Sequence, residues 1–385
     1  MTTLTQYETR AARTLPEFKN EALTDFTKAE NKSAMEAALR KVKNEFGREF
    51  PLTIGGEKIT GLKTFDSINP SHKDQLLAKF QKGGKAHVEK AVDAAWAAFA
   101  SWSKQPVDVR AGLLLKAADL LRKRKHEFSA TMIYEVGKTW PEADADTAEA
   151  IDFLEFYARE AYRWGGEQPI TKIESEDNEL VYLPLGVGAV IPPWNFPLAI
   201  MAGMTTAAIV AGNTVILKPS SDSPWIAARF FELLEEAGMP AGVVNFVSGG
   251  GGEVGDPLIT HPRMRFIAFT GSKEVGLHIN EAAAKPQKGQ IWIKRVIAEM
   301  GGKDAIIVDR ETSNLDEAAG AVVASAFGFQ GQKCSACSRL IVDQAIYDKF
   351  MPLVVEKTKK LKMGPPEAPD SQIGPVVNKS AMEKF

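Results

Sequence analysis

The spacing of apolar positions changes character along the chain. Between residues 85 and 125 they recur in steps of three and four, first Val88, Val92, Ala95, Phe99 and Trp102, then Leu113, Leu114, Ala117, Leu120 and Leu121. That is the stripe an amphipathic helix turns toward a core. The same spacing predicts a third helix over 147–162. From residue 187 the texture becomes short apolar runs separated by helical segments. Strands are expected at 187–191, 214–217, 243–247 and 265–269, with helices at 199–211, 224–237 and 253–259 between them. Unbroken apolar strands alternating with helices are what a mainly parallel sheet, covered on both faces, requires. A second alternating set is expected from about residue 294, with strands at 296–299, 305–308 and 340–342 and helices at 315–327 and 345–360.

The rest of the chain divides around these blocks. Residues 1–50 carry mixed charge and loose helical periodicity and read as an N-terminal helical extension. Residues 51–298 read as one domain, interrupted by a charged bridging segment near 171–185, and 299–385 as a second that stops, at Phe385, inside an expected helix. Hydrophobic residues at 44% and charged residues at 25% are the composition of a folded globular chain. Lys+Arg 47 against Asp+Glu 49 leaves a net charge of −2, which offers no field to nucleic acid or an anionic membrane, so a small molecule is the expected partner. The apolar stretch 187–210 is broken by Pro192, Pro193 and Pro197, which would strand backbone groups in lipid, and no membrane span is expected. Two cysteines and the lack of an apolar leader point to a reducing, cytoplasmic setting.

Parallel sheets gather ligands beyond the carboxyl ends of their strands, and the chemically unusual residues fall there. Strand 187–191 runs into Pro192-Pro193-Trp194-Asn195-Phe196-Pro197, a stiff loop presenting one amide. Asn195 is suited to donate to an oxyanion, or else it satisfies its own backbone in a turn. Lys218 ends strand 214–217, within reach of a ribose hydroxyl or a phosphate unless it is simply solvated. The turn Phe269-Thr270-Gly271-Ser272 opens a helix, where backbone N–H groups face a phosphate or a tight turn merely needs glycine. Glu299 ends a further strand ahead of Gly301 and Gly302 and is either a general base or a solvated carboxylate. Cys334 and Cys337 form a Cys-x-x-Cys that reads as a redox pair, half a metal site, or one nucleophilic thiol with a neighbour. The five histidines are scattered singly, so no metal site is expected.

Taken in order, PPWNFP, LKPS, FTGS, EMGGK and GQKCSACSR closely resemble the aldehyde dehydrogenase superfamily, from about residue 50 onward. Residues 134–146, 243–253, 289–299 and 327–335, with the N-terminal extension, resemble its glutamate-semialdehyde branch. The resemblance implies an α/β fold with a Rossmann-type parallel-sheet cofactor domain and a second, here incomplete, α/β catalytic domain. It implies that Cys334 attacks the aldehyde, that Asn195 and the Cys334 N–H hold the resulting oxyanion, that hydride passes to NAD, and that Glu299 activates the water that frees the acid. It assigns Lys218, Ser221, Phe269, Thr270, Gly271, Ser272, Gly302, Pro193 and Trp194 to the cofactor, and Glu135, Phe196 and Ser335 to the substrate. Ser221 stands where many NAD-preferring relatives carry Glu, so NAD with some tolerance of NADP is expected. A further C-terminal part that completes the catalytic layer, and a homo-oligomer of the complete protein, are also implied. The rival readings are a dehydrogenase of another semialdehyde or of general aldehydes, and a cofactor-binding fragment without turnover.

Overall fold

A computed structural model describes residues 15–383, so the first part of the expected N-terminal extension lies outside it. Residues 15–28 form a strap without regular structure, followed by helix α1 (Ala29–Lys43). Carboxylates further along hold the strap. The Glu21 N–H donates to Asp152, and the Thr24 N–H and hydroxyl both donate to Asp144.

Strands β1 (Arg48–Phe50), β2 (Leu52–Ile54), β3 (Glu57–Ile59), β4 (Thr64–Ile68) and β5 (Leu76–Gln81) come next and serve two sheets. One is three-stranded, of order β1-β5-β4, while β2 and β3 extend the edge of a larger sheet in antiparallel sense. Helices α2 (Lys85–Trp102), α3 (Val107–Lys123), α4 (Lys125–Val136) and α5 (Trp140–Gly165) follow. Two departures from the periodicity have one cause. Every residue of α4 from Phe128 to Val136 is buried, so it shows no polar face, and the early turns of α5 bury Asp144 and Asp146, which hides their place in the apolar stripe. Residues 166–186 are neither helix nor strand and are largely exposed.

The larger sheet holds β6 (Val187–Ile191), β7 (Thr214–Leu217), β8 (Val244–Phe246), β9 (Phe266–Thr270) and β10 (Arg295–Glu299), in the order β10-β9-β6-β7-β8-β2-β3. All pairs from β10 to β8 are parallel. Helices α6 (Ala199–Val210), α7 (Pro224–Ala237), α8 (Asp256–Thr260) and α9 (Lys273–Ala284) connect them. Alternation along the strands builds two cores. Val190, Val215 and Leu217 pack with α3, α5, α6 and α7, whereas Val187, Ala189, Ile216 and Ile267 pack with α2, α8 and α9. Gly188 permits the pairing of β6 with β9, because a β-carbon there would lie 2.1 Å from the Phe266 ring.

The expected strand 296–299 does not open a second layer. As β10 it lies on the edge of the first sheet, in register with β9 from Arg295↔Phe266 to Glu299↔Thr270. The crossover through α9 returns the chain beside β9, a partnership that local periodicity does not encode. The second layer starts with β11 (Asp304–Val308), which pairs in parallel with β12 (Cys337–Val342). Helices α10 (Leu315–Phe327) and α11 (Tyr347–Lys359) cover one face through Val308, Val322, Val323, Phe350 and Val354. A short α12 (Lys379–Met382) follows. Among the described residues no helix is long and apolar enough to cross a membrane.

The chain steps outward from β6 to β7 to β8, then crosses back to lay β9 and β10 on the other side of β6. Strand order therefore reverses between β6 and β9. A crevice opens at the carboxyl ends of strands at such a point.

Candidate active site

Strand β6 reaches this reversal point and ends in the loop 192–198, stiffened by Pro192, Pro193 and Pro197. The two ends of the Asn195 amide do different work. Its Oδ1 accepts from the Phe196 N–H at 3.1 Å, and its Nδ2 donates to the Gln332 carbonyl at 3.0 Å. The backbone turn expected as one alternative is present, and the amide nitrogen is directed at the segment that carries the thiols.

Gln332 belongs to the segment that carries the thiols. After α10 the chain makes a tight turn, Gly328–Gly331, in which Phe329 (φ 49°, ψ 41°) and Gln330 (φ 57°, ψ 28°) are left-handed. Such a conformation costs a non-glycine residue roughly 1 kcal/mol or more. Surrounding contacts hold it. Phe329 is buried, the Gln332 amide donates to the Phe329 carbonyl at 3.3 Å and accepts from the Val377 N–H at 3.1 Å, and Lys333 pairs with Glu142 on α5 at 3.0 Å. Cys334 emerges from this braced turn with an exposed side chain, whereas Cys337 begins β12 and its thiol faces the Arg339 carbonyl at 3.5 Å.

The stretch after β10 meets the same segment. A β-carbon on Gly302 would lie 2.7 Å from the Cys334 carbonyl oxygen. Glu299, exposed at the end of β10, accepts the Gly271 N–H on its backbone carbonyl at 3.0 Å. Asn195 thus meets the chain two residues before Cys334, and Gly302 meets the Cys334 backbone, with Glu299 at the strand end three residues before Gly302.

The cofactor candidates divide by environment. Lys218 follows β7 and is buried, its ammonium donating to the adjacent Pro219 carbonyl at 3.2 Å. Burial pulls its pKa down to about 8, opposed by Glu253. Ser221, three residues on, is exposed, and an ammonium with N–H groups to spare is a donor to a hydroxyl. Ser272 caps α9 by accepting from the Val275 N–H, and Phe269 is buried beneath the Gly271 turn. Pro193 is buried, and the Trp194 ring meets Phe329 edge-on at 6.4 Å, toward the thiol segment.

Of the substrate candidates, Ser335 is exposed beside Cys334, and Phe196 is partly buried next to Asn195. Glu135 requires correction. It is 1% exposed, and its carboxyl group accepts from the N–H groups of Trp225 at 2.6 Å and Ile226 at 2.9 Å and from the Ser67 hydroxyl at 3.1 Å. Ser223, at the N-cap of α7, makes no side-chain cap, so Glu135 caps that helix from another part of the chain and is not free to anchor a substrate.

Two residues of the segment 134–146, to which no role was assigned, stand behind the site. Lys138 and Asp146 form an ion pair of 3.1 Å with both side chains wholly buried. No local signal marked Asp146, which is one of several carboxylates, Glu142, Asp144, Glu149 and Asp152 among them, in the same stretch of helix.

The chain matches the model of the aldehyde dehydrogenase family over residues 58–385. It is 54% identical over 367 residues to a 1-pyrroline-5-carboxylate dehydrogenase of Bacillus mycoides, a match that covers 95% of this chain and 71% of that protein. A solved structure of 1-pyrroline-5-carboxylate dehydrogenase from Thermus with bound NAD is similar at TM-score 0.92 and 50% identity, covering 95% of this chain and 71% of the other. Proline utilization A from Bdellovibrio bacteriovorus is similar at TM-score 0.93 and 44% identity, covering 96% of this chain and 39% of the larger one.

Proposed function

The chain belongs to the aldehyde dehydrogenase family, and on that premise we propose that it oxidises glutamate γ-semialdehyde, the open form of 1-pyrroline-5-carboxylate, to glutamate with NAD. The single observation that carries the reading is the meeting of the Asn195 amide with the segment of Cys334, 3.0 Å apart at the Gln332 carbonyl.

Cys334, exposed at the end of a braced turn, adds its sulfur to the aldehyde carbon. The oxygen that becomes negative takes hydrogen bonds from Asn195 Nδ2 and the Cys334 N–H, the kind of donor whose removal costs about a hundredfold or more in rate. NAD, when bound, supplies the acceptor for the two electrons that leave the carbon. Lys218 and Ser221 would hold its ribose, and the turn Thr270-Gly271-Ser272, at the N-terminus of α9 and backed by Phe269, would offer N–H groups to its pyrophosphate. Pro193, Trp194 and Gly302 would border its nicotinamide end. Glu299 takes a proton from the water that releases the acid from Cys334. Phe196 and Ser335 flank the substrate.

Steady-state kinetics with pyrroline-5-carboxylate, succinate semialdehyde and an aliphatic aldehyde test the assignment. The first is expected to have the highest kcat/KM, by about tenfold or more, because it is the substrate that the names of the similar proteins carry. Equal constants would remove the substrate assignment and leave the general reaction. With no carboxylate at Ser221, NADP is expected to support slower but measurable turnover.

A further inference from the structure

We propose that Lys138 is a positioning residue, whose ammonium clamps the loop carrying Asn195 to the turn that precedes Cys334; this rests on the roles given to those two residues above. The Lys138 nitrogen lies 4.3 Å from the centre of the Phe196 ring and 4.4 Å from the centre of the Phe329 ring. Phe196 is the neighbour of Asn195, and Phe329 stands three residues before Gln332, whose carbonyl receives the Asn195 amide. The two loops that must meet for catalysis therefore each place an aromatic face against one cation.

The cation has few other partners. Lys138 sits just after Gly137, a left-handed residue that ends α4, and its side chain is wholly buried. Among the described residues its ion-pair partner is Asp146 on α5, at 3.1 Å, and the carboxylate of Glu149, also on α5, feels the same charge. An ammonium carries three N–H groups, and with water excluded the two ring faces add to what the carboxylates supply in stabilising the charge. Asp146 in turn accepts the Ala199 N–H at 2.7 Å on its other oxygen, at the start of α6. The pair thus grips the Asn195 loop at Phe196 and again at Ala199. Across the crevice the same cation bears on Phe329, which holds a left-handed backbone at φ 49°.

A buried ion pair contributes little to stability compared with an apolar pair of the same volume, whereas it can select one arrangement of its neighbours. Removing the charges should therefore alter the site more than the fold. The test uses the full chain with both charges neutralised together, Lys138→Met with Asp146→Asn, the latter side chain still able to accept from Ala199. Turnover, KM for each substrate, thermal midpoint and the rate at which iodoacetamide alkylates Cys334, read by mass spectrometry, are compared with the wild type. The expected result is a kcat lowered about tenfold or more, KM for NAD within about twofold, and an alkylation rate changed severalfold, since small displacements of reacting groups have large rate effects. Lys138→Arg, which keeps a cation that stacks on aromatic rings, should recover part of kcat. Phe329→Leu, which removes one face of the clamp and keeps the ion pair, should reproduce the loss and decides the matter if the double variant does not fold. Turnover and alkylation within about twofold of wild type, in either the double variant or Phe329→Leu, would overturn the proposal. A wild-type chain that is alkylated at Cys334 yet oxidises no aldehyde would instead overturn the enzymatic reading, and the alkylation rates would still decide the role of Lys138.

Discussion

Replacing Gly302 by alanine tests the meeting of the two halves of the site most directly. The added β-carbon would lie 2.7 Å from the Cys334 carbonyl oxygen and 3.0 Å from Asp304 Oδ2. The carboxylate can swing aside, but the carbonyl belongs to the backbone of the nucleophile itself. An ordinary contact begins near 3.4 Å, so the two chains must separate by about 0.7 Å, the difference between that distance and 2.7 Å. Overpacking of this kind costs about 1–3 kcal/mol when it must be absorbed in place. A shift approaching 1 Å at a reacting group costs about a hundredfold in rate, so kcat is expected to fall about ten- to a hundredfold. Gly301→Ala is the matched control, because nothing lies within 4 Å of its β-carbon. Steady-state turnover of pyrroline-5-carboxylate, with thermal midpoints for both variants, measures the effect. A Gly302→Ala protein with wild-type kcat and midpoint would show that Gly302 and Cys334 do not touch in this way. Equal losses in the two variants would trace the effect to backbone freedom and not to the contact.

The thiols should separate cleanly. Cys334→Ala should abolish aldehyde oxidation while Cys337→Ala retains much of it, and the reverse pattern in the same assay would move the nucleophile to Cys337. Glu135 offers a pH-dependent prediction about stability. Burial pushes its carboxyl pKa up to about 8 from the ordinary 4.5, against the opposing N–H donors of Ile226 and Trp225. A group whose folded pKa is raised stabilises fully below its unfolded value and loses that contribution as pH climbs through the folded value, here between about 4.5 and 8. The margin of wild type over Glu135→Gln in urea unfolding should therefore shrink across that window. A margin that grows with pH would mean that the carboxylate caps α7 as an anion. Glu135→Ala, which leaves the Trp225 and Ile226 N–H groups unpaired, should cost about 1–3 kcal/mol at any pH in the same titration.

Much of the site was legible because it is written locally. A strand is a run of a few apolar residues, and the loop after it begins where proline, glycine or a charge interrupts the run. Asn195, Lys218, the Thr270-Gly271-Ser272 turn and Glu299 could therefore be set at strand ends without knowing how the strands are ordered. Helix α4 was missed for the complementary reason: burial on every side erases the polar face that periodicity needs.

The chain by itself determined where its strands and helices alternate and which polar side chains the breaks between them carry, since those depend on periodicity over ten or so neighbouring residues. Only the tertiary structure decided that β10 joins the first sheet, that Glu135 caps α7, and that Lys138, Asp146, Phe196 and Phe329 share one cluster around a buried ion pair. The reason is desolvation. A charge has no fixed partner in an open chain surrounded by water, and its role is set when packing excludes the solvent and leaves only the groups that other elements bring to it.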